Sequence, residues 1–508
     1  MRERVTAASD GLVADGEDMA RQVERERGRL HDFPRRLSAV AGNEAPRPGD
    51  FLYGVRKLNC HPSPVDARMP PAVTLLPSEE VRELRTTIVA RYLRQLRHGC
   101  LARIGSKLRR AEVAAVSDRE YVEFLTQTAF AKLLSARLTQ QDLKRFGIDG
   151  EVPGQYYAFD FSGLGDIETL DGLYLCGGAA LLSKGPRGEF QPGAIRLDDA
   201  LLRPGDGDAW EMAKYYVLSS AAFSTLLAEH PMVHFPMDAV NAVAKAVFPA
   251  RHRVLQLLLP HTYLQLPLDF AVLYQQRSVV HNSPREMYTV FPHRHLQDVY
   301  RLIADRYSGS DGAAAGRFRY PLQERVQLTE YDRFLNEYFR VILDFVSQAV
   351  ADVPRNDPYV AQWARTLAPT VFGFPDERAI GEGNNLARAV AGFIWNCSVV
   401  HSVDHHTFSG IPVEKLPLRI RVAPPVSRDF VLDRRKIATA DDLFRQRLSR
   451  RMFFKPHTLT RLIEVDYRFD AGPLQSLNRQ FIDRLVQLDR SLPRRFMPVQ
   501  QMAASIQY

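Results

Sequence analysis

The chain has 508 residues, 45% of them hydrophobic and 25% charged, which is typical of a soluble globular protein and unlike a disordered or membrane-spanning one. Its net charge of +8 does not indicate a particular class of binding partner, since basic stretches such as residues 445–455 are usually solvated faces. No apolar run reaches the roughly 20 residues of a transmembrane helix. Acidic residues also stand where a signal peptide would have its apolar core, so we expect a cytoplasmic protein.

The composition and the spacing of apolar residues change along the chain. Residues 1–45 alternate acidic and basic side chains, which predicts a solvated arm or helix outside the core. From about 72 to 150 the apolar residues recur at helical spacing, as in VRELRTTIVARYLRQL and YVEFLTQTAFAKLL. The stretches YYAFDFSGL, GLYLCGGAALL and GEFQPGAIRL then predict a small β region between about 155 and 200. After Trp210 the helical period returns and continues to the end, so we predict a mainly α protein with one domain over 46–508.

Two histidine pairs share one spacing. His230 and His234 lie in EHPMVHF, and His401 and His405 lie in VVHSVDHHTF, each pair following a long apolar helical stretch. Residues four apart occupy one face of an α-helix, so both imidazoles of a pair can reach one ion. One such pair is often accidental, and neither has the glutamate of a HExxH zinc hydrolase. Two pairs on core helices, offering only nitrogen, favour Fe, Mn, Co or Cu and predict a redox metal.

The sequence around these pairs resembles the lipoxygenases. The first pair lies between Trp210 and a stretch LLLPH that ends at His261, and the second lies within IWNCSVVHSVDH. The chain ends in LPRRFMPVQQMAASIQY, residues 492–508, at the spacing of the family's end. The resemblance covers about residues 70–508 and implies the helical lipoxygenase-like catalytic domain. The usual N-terminal β-sandwich lipid-binding domain is missing, as in short bacterial members, and His252 and His261 look like structural residues of the family.

The resemblance also implies a metal site. Five residues would be the ligands of a non-heme iron, with manganese as the alternative metal: His230, His234, His401, His405 and, through its main-chain carboxylate, Tyr508. His406 and Asp404 remain alternatives at the second helix, although the four-residue spacing favours His405. The implied reaction is hydrogen abstraction from a 1,4-diene of a polyunsaturated fatty acid, followed by insertion of O2 to give a hydroperoxide. No nucleic-acid partner is expected, and membrane contact would be weak and peripheral.

The first histidine pair departs from the family pattern. Family members have these ligands five residues apart, accommodated by a π-type bulge, whereas here they are four apart. Pro231 and Pro236 each remove a backbone donor, so we expect the helix to be disturbed at the ligands. The bulge would then be absent or moved.

Four further residues are predicted to lie along the path of substrate and oxygen. Leu226 and Phe408 stand where plant lipoxygenases have glutamines that link the two ligand helices. The small residue that the family associates with the position of oxygenation falls at Val272, one beyond Ala271, and a valine there would restrict the path of oxygen.

Three functions fit these observations. The first is an iron dioxygenase of polyunsaturated fatty acids. The second is an iron enzyme of the same fold in specialised metabolism, acting on a different lipophilic substrate, with or without net dioxygenation. The third is an inert lipid-binding descendant whose basic patches hold an acyl carboxylate. Retention of all four histidines favours the first two.

Overall fold

The computed structural model describes residues 54–57, 69–76, 78–86, 99, 112–150, 154–249, 251–274, 278, 280–282, 288–309, 317–320, 326–454, 460–469 and 472–506. The arm predicted for residues 1–45 lies outside the described residues, as does Tyr508.

Helices dominate this part of the chain, which confirms the mainly α prediction. In chain order they are α1 (Ser78–Leu84), α2 (Asp118–Thr126), α3 (Gln140–Lys144), α4 (Gly207–Ser224), α5 (Pro231–Val247), α6 (Arg253–Leu258), α7 (Gln265–Tyr274), α8 (Leu296–Ser308), α9 (Glu330–Ala349), α10 (Pro358–Leu367), α11 (Asn385–Trp395), α12 (His401–Gly410), α13 (Arg434–Ile437), α14 (Ala440–Ser449) and α15 (Gly472–Ser491). Short 3₁₀ segments lie at Ala129–Leu133, Ser162–Leu164, Leu259–His261, Ala379–Gly381, Leu462–Glu464 and Val499–Gln501.

Reciprocal caps begin several of the helices. At α9 the Thr329 hydroxyl accepts from the backbone N–H of Asp332 at 3.2 Å, and the Asp332 carboxylate accepts from the backbone N–H of Thr329 at 3.0 Å. Such a pair satisfies two backbone donors that a helix start leaves without partners. In YVEFLTQTAFAKLL a cap instead divides the predicted helix, since the Thr128 hydroxyl accepts from Phe130 and starts the 3₁₀ segment Ala129–Leu133.

The predicted β region is an antiparallel sheet of four strands in chain order: β3 (Tyr156–Asp160), β4 (Ala179–Lys184), β5 (Phe190–Leu197) and β6 (Ala200–Leu202). Only the end of GLYLCGGAALL is a strand. Gly178, just before β4, comes so close to β5 that a Cβ there would lie 2.7 Å from the Arg196 carbonyl oxygen. A hairpin of β1 (Gly54–Lys57) and β2 (Pro71–Leu75) was not predicted, and neither was β6, because strands of three to five residues carry little periodicity.

Two long helical rods carry the histidine pairs. The first is α4, the π segment Thr225–Glu229 and α5; the second is α11, the π segment Asn396–Val400 and α12. The π hydrogen bond from the His230 N–H to the Thr225 carbonyl is 2.8 Å long, and Pro231, which has no N–H, then begins α5. The expected disturbance at the ligands is present as a bulge that precedes His230, while Pro236 is accommodated inside α5.

The first rod is fixed to α2 at its start. Trp210 Nε1 donates to Asp118 at 2.7 Å, and the buried ammonium of Lys214 contacts the same carboxylate at 2.8 Å. Trp210 and Lys214 therefore lie at the start of the rod, away from the histidines.

The second rod, Asn385–Gly410, is long and apolar enough by composition to cross a membrane. In the structure 89% of its most apolar window is buried. Its apolar surface is therefore covered by the rest of the chain, as in the core helix of a globular fold.

Candidate metal centre

The two rods bring the four predicted histidines together. One ring nitrogen from each of His230, His234, His401 and His405 lies within 4.8 Å of the other three. The Nε2 atom of His230 is 2.9 Å from that of His234 and 3.1 Å from that of His405. His401 completes the group, with its ring centroid 4.3 Å from the ring of His405.

Hydrogen bonds on the far side of the rings define which nitrogen carries the proton. His230 Nδ1 lies 3.0 Å from a carboxylate oxygen of Asp404, and His234 Nδ1 lies 2.7 Å from one of Asp269. Since a carboxylate accepts, both Nδ1 atoms donate, and in a neutral ring Nε2 is then left with a lone pair.

The donor set fits a metal ion. Two unprotonated Nε2 atoms cannot hydrogen-bond each other, so a separation of 2.9 Å brings lone pairs together with nothing attractive between them. Two imidazole nitrogens bound to one ion at right angles, each about 2.1 Å away, lie about 3 Å apart. The four rings are therefore spaced as ligands, and an all-nitrogen set suits iron or manganese better than magnesium or calcium.

Burial favours the neutral form of three of the rings. Burial lowers the pKa of His230, His401 and His405 well below the ordinary value of 6.5, and the neighbouring imidazoles lower it further. Burial also raises the pKa of Asp404, and the ammonium of Lys132 opposes that shift. Neutral imidazole is the form that binds metal.

Two buried histidines outside the cluster make stability depend on pH. Burial lowers the pKa of His261 and of His293 from 6.5 to about 4. Between these values the unfolded chain binds protons that the folded chain does not, so stability is complete above pH 6.5 and falls as the pH drops toward 4. We expect each histidine to lower the free energy of unfolding by about 3 kcal/mol between pH 6.5 and pH 4, at about 1.4 kcal/mol for each pH unit.

Denaturant titrations from pH 4.5 to 7 in the presence of a chelator measure this loss. We expect His293→Gln to reduce the pH dependence of the free energy of unfolding by the amount that corresponds to about one bound proton. His295→Gln is the matched control, because that side chain is half exposed on the surface nearby. Equal slopes for the three proteins would contradict the assignment.

The end of the chain runs beside the second rod. The backbone N–H of Ala503 donates to the Ser402 hydroxyl at 2.9 Å, one residue from His401. His261 Nδ1 donates to the Ala504 carbonyl at 2.6 Å, and Tyr467 lies 3.0 Å from its other nitrogen. Residues Ser505 and Ile506 are fully buried. His261 is therefore an anchor of the chain end and lies outside the histidine cluster.

A cavity of about 220 Å³ opens beside the histidines. Its wall is mostly aliphatic and aromatic, with Asp269, Ser278 and Tyr288 as further polar members. Within the described part of this wall there is no lysine or arginine. The apolar residues that line it are Leu226, Leu227, Pro231, Phe235, Leu268, Ala271, Val272, Val280, Phe291, Met452, Phe453 and Phe454.

Comparison with known proteins gives matches among solved structures but none from the sequence searches. No family model matches the sequence, and no curated protein matches it. A calcium-dependent 11R-lipoxygenase superposes with a TM-score of 0.66 at 14% identity, over 96% of this chain and 80% of that one. A manganese lipoxygenase gives 0.63 at 16% identity, over 94% of each chain. The chain has the lipoxygenase fold. A 9R-lipoxygenase from Cyanothece gives 0.58 at 13% identity, over 76% of this chain and 63% of that one.

Within the lipoxygenase fold the other predicted site residues are placed as follows. Of the two alternatives on α12, His405 points into the cluster, whereas His406 does not belong to it. Leu226, Ala271 and Val272 line the cavity. Phe408 is different: it is buried against Phe130 and Phe454, with ring centroids 5.9 and 5.6 Å away, and is absent from the described wall. It is a packing residue between α12 and its neighbours.

Sequence reasoning missed the groups that support the rings. Asp404 was considered only as an alternative ligand, but its carboxylate contacts His230 Nδ1 and the Lys132 ammonium. Asp269 had no predicted role, although it holds His234 and lies beside Asp238, whose pKa is raised by burial and by the charge of Asp269. For Asp269 the sequence signal is an acidic residue within the otherwise apolar stretch LPLDFAVL of α7.

Proposed function

We propose that the protein is a metal-dependent oxidoreductase of the lipoxygenase type, which removes hydrogen from a 1,4-diene of a polyunsaturated lipid and adds O2 to give a hydroperoxide. The observation that carries the proposal is the convergence of four imidazoles, three of them buried and that of His234 partly buried, on one wall of an apolar cavity. The shared fold supports it, since one solved lipoxygenase of this fold is a complex with arachidonate.

The proposed ligands are His230, His234, His401 and His405, with the main-chain carboxylate of Tyr508 as a further ligand. When bound, iron or manganese supplies the one-electron chemistry that takes hydrogen from the diene. Asp404 and Asp269 hold two of the rings with Nε2 directed inward. The apolar wall binds the diene, orients its doubly allylic carbon and excludes water.

Metal analysis together with a linoleate assay tests the proposed function. We expect close to one iron or manganese per chain, and consumption of O2 matched by the appearance of conjugated diene absorbance. Bound metal with neither signal would contradict oxygenation of this substrate. Absence of stoichiometric metal would contradict a metal-dependent enzymatic function and would favour an inert lipid-binding role.

A second candidate function is supported by the cavity. Its volume of about 220 Å³ is below the roughly 300–1,000 Å³ typical of ligand pockets, and its described wall offers no cation to a fatty-acid carboxylate. A compact, uncharged diene of specialised metabolism fits these features. Comparing linoleate with its methyl ester and with shorter neutral dienes separates the candidates, because the fatty-acid function requires the free acid to be the better substrate.

The proposed role of the terminal carboxylate has its own test. Adding one alanine after Tyr508 moves that carboxylate by about 3.5 Å, so it could no longer bind the same ion. We expect the extended protein to lose most of its metal while it remains folded. The control variant, Tyr508→Phe, keeps the carboxylate in place and is expected to keep the metal. Unchanged metal content in the extended protein would remove Tyr508 from the ligand set.

A further inference from the structure

A buried ion pair contacts one of the proposed metal ligands through the outer nitrogen of its ring. Asp404 lies on α12 between His401 and His405, but its carboxylate contacts His230 on the other rod at 3.0 Å. The second oxygen of Asp404 is bonded to the ammonium of Lys132, which comes from the 3₁₀ segment Ala129–Leu133. The Asp404 side chain is fully buried and that of Lys132 is 5% exposed, so this contact is shielded from solvent.

The position of Lys132 is itself fixed by a second contact to the same rod. The backbone N–H of Ala129 donates to the Thr407 hydroxyl of α12 at 3.0 Å, which attaches the start of the 3₁₀ segment to the helix of Asp404. The segment begins at its own cap, the Thr128 hydroxyl. Lysine and carboxylate are therefore held together by backbone structure on both sides, and the ion pair does not depend on two long, free side chains.

The ammonium group of the pair favours the charged form of the buried carboxylate. An isolated carboxylate inside a protein is costly and tends to take up a proton, whereas a cation beside it preserves the charge. A charged Asp404 can accept the Nδ1 proton of His230, which fixes the ring orientation and leaves Nε2 directed at His234 and His405. Asp269, which holds His234, lies beside a second carboxyl group, that of Asp238.

We propose that Lys132 and Asp404 are positioning residues of the metal site, with Lys132 acting through Asp404 to hold His230 as a ligand. This inference rests on the metal site of the proposed function, but it requires no particular substrate. A positive charge near a metal site would, by itself, weaken cation binding. Positioning therefore makes a distinctive prediction: removal of the Lys132 charge should weaken metal binding, whereas a purely through-space effect of that charge would strengthen it.

Titration of the full-length, chelator-treated protein with Mn²⁺, followed by the electron paramagnetic resonance signal of the free ion, measures the affinity directly. We expect Asp404→Asn and Lys132→Met each to weaken Mn²⁺ binding by about 10- to 100-fold, as is usual for groups that orient a ligand. Lys132→Arg keeps the charge and the hydrogen bond and should stay within a few-fold of the parent protein.

Lys214→Met is the matched control. Lys214 is equally buried and is also ion-paired, with Asp118 and Glu211, but it contacts none of the four histidines. We expect it to lose stability without losing Mn²⁺ affinity. Circular dichroism confirms which variants fold; if Lys132→Met does not, the comparison of Asp404→Asn with Lys132→Arg decides the question.

The outcomes separate this inference from the proposed function. Unchanged or tighter Mn²⁺ binding in Asp404→Asn or Lys132→Met would overturn the positioning role while leaving the metal site intact. Weaker binding in Lys214→Met of the same size would overturn it too, because the effect would then be general to buried ion pairs. Failure of the parent protein to bind Mn²⁺ or Fe²⁺ would reject the metal site and the inference together.

Discussion

Replacement of His401 by alanine is expected to abolish stoichiometric metal binding and, with it, oxygen consumption. His401 is 1% exposed and lies where α12 begins, with its ring 5.1 Å from that of His230 and 5.0 Å from that of His234. Its loss removes a donor and leaves a buried space that water can enter. We expect a loss of metal affinity of more than about 100-fold, beyond the range found when only a supporting group is removed.

His406→Ala is the control for this experiment, because His406 follows on the same helix but does not belong to the cluster. Metal content by elemental analysis and affinity by Mn²⁺ titration should separate the two variants clearly. If His406→Ala lost metal and His401→Ala retained it, the ligand set on α12 would have to be reassigned.

Filling the cavity is expected to have the opposite signature, in which metal is retained and turnover is lost. Ala271 lies on α7 two residues after Asp269, and both residues line the cavity. A phenylalanine at 271 would direct a ring into a space of about 220 Å³ and displace the substrate from its position. A displacement of about 1 Å can reduce a rate by about 100-fold, and we expect at least that loss in oxygen uptake.

Val272→Ala is the paired variant, since it widens the same wall. We expect it to keep the metal and to oxidise substrate at least as fast as the parent protein, with the larger gain for bulkier dienes. Oxygen uptake and product position, measured at equal metal content, check both variants. Full activity of Ala271→Phe would show that the substrate does not occupy this cavity.

The sequence was most informative where periodicity and spacing act over one element. Residues four apart share a face of an α-helix, so the spacing within a helical stretch predicts that His230 lies beside His234 and His401 beside His405. The β region was visible for the same reason, as short stretches between glycines and prolines. These features depend on neighbours in the chain.

The support of the site could not be predicted, because it depends on residues far apart in the chain. Lys132 and Asp404 are separated by 272 residues, and Asp269 is 35 residues from His234. Neither distance leaves a trace in local composition. The packing of Phe408 was not visible in the sequence for a related reason: its ring contacts Phe130 and Phe454, which lie far from it in the chain.

The π segments that precede both histidine pairs have a consequence for how this site can vary. An α-helix turns by about 100° for each residue, and a π turn accommodates one extra residue without displacing the helix before it. Everything after Glu229 is therefore rotated relative to the apolar face of α4, and everything after Val400 relative to that of α11. The angular setting of each histidine pair is thus separable from the packing of the rod that bears it. A residue gained or lost near the histidines can therefore be absorbed as a change in the angle between a histidine pair and the rod that bears it.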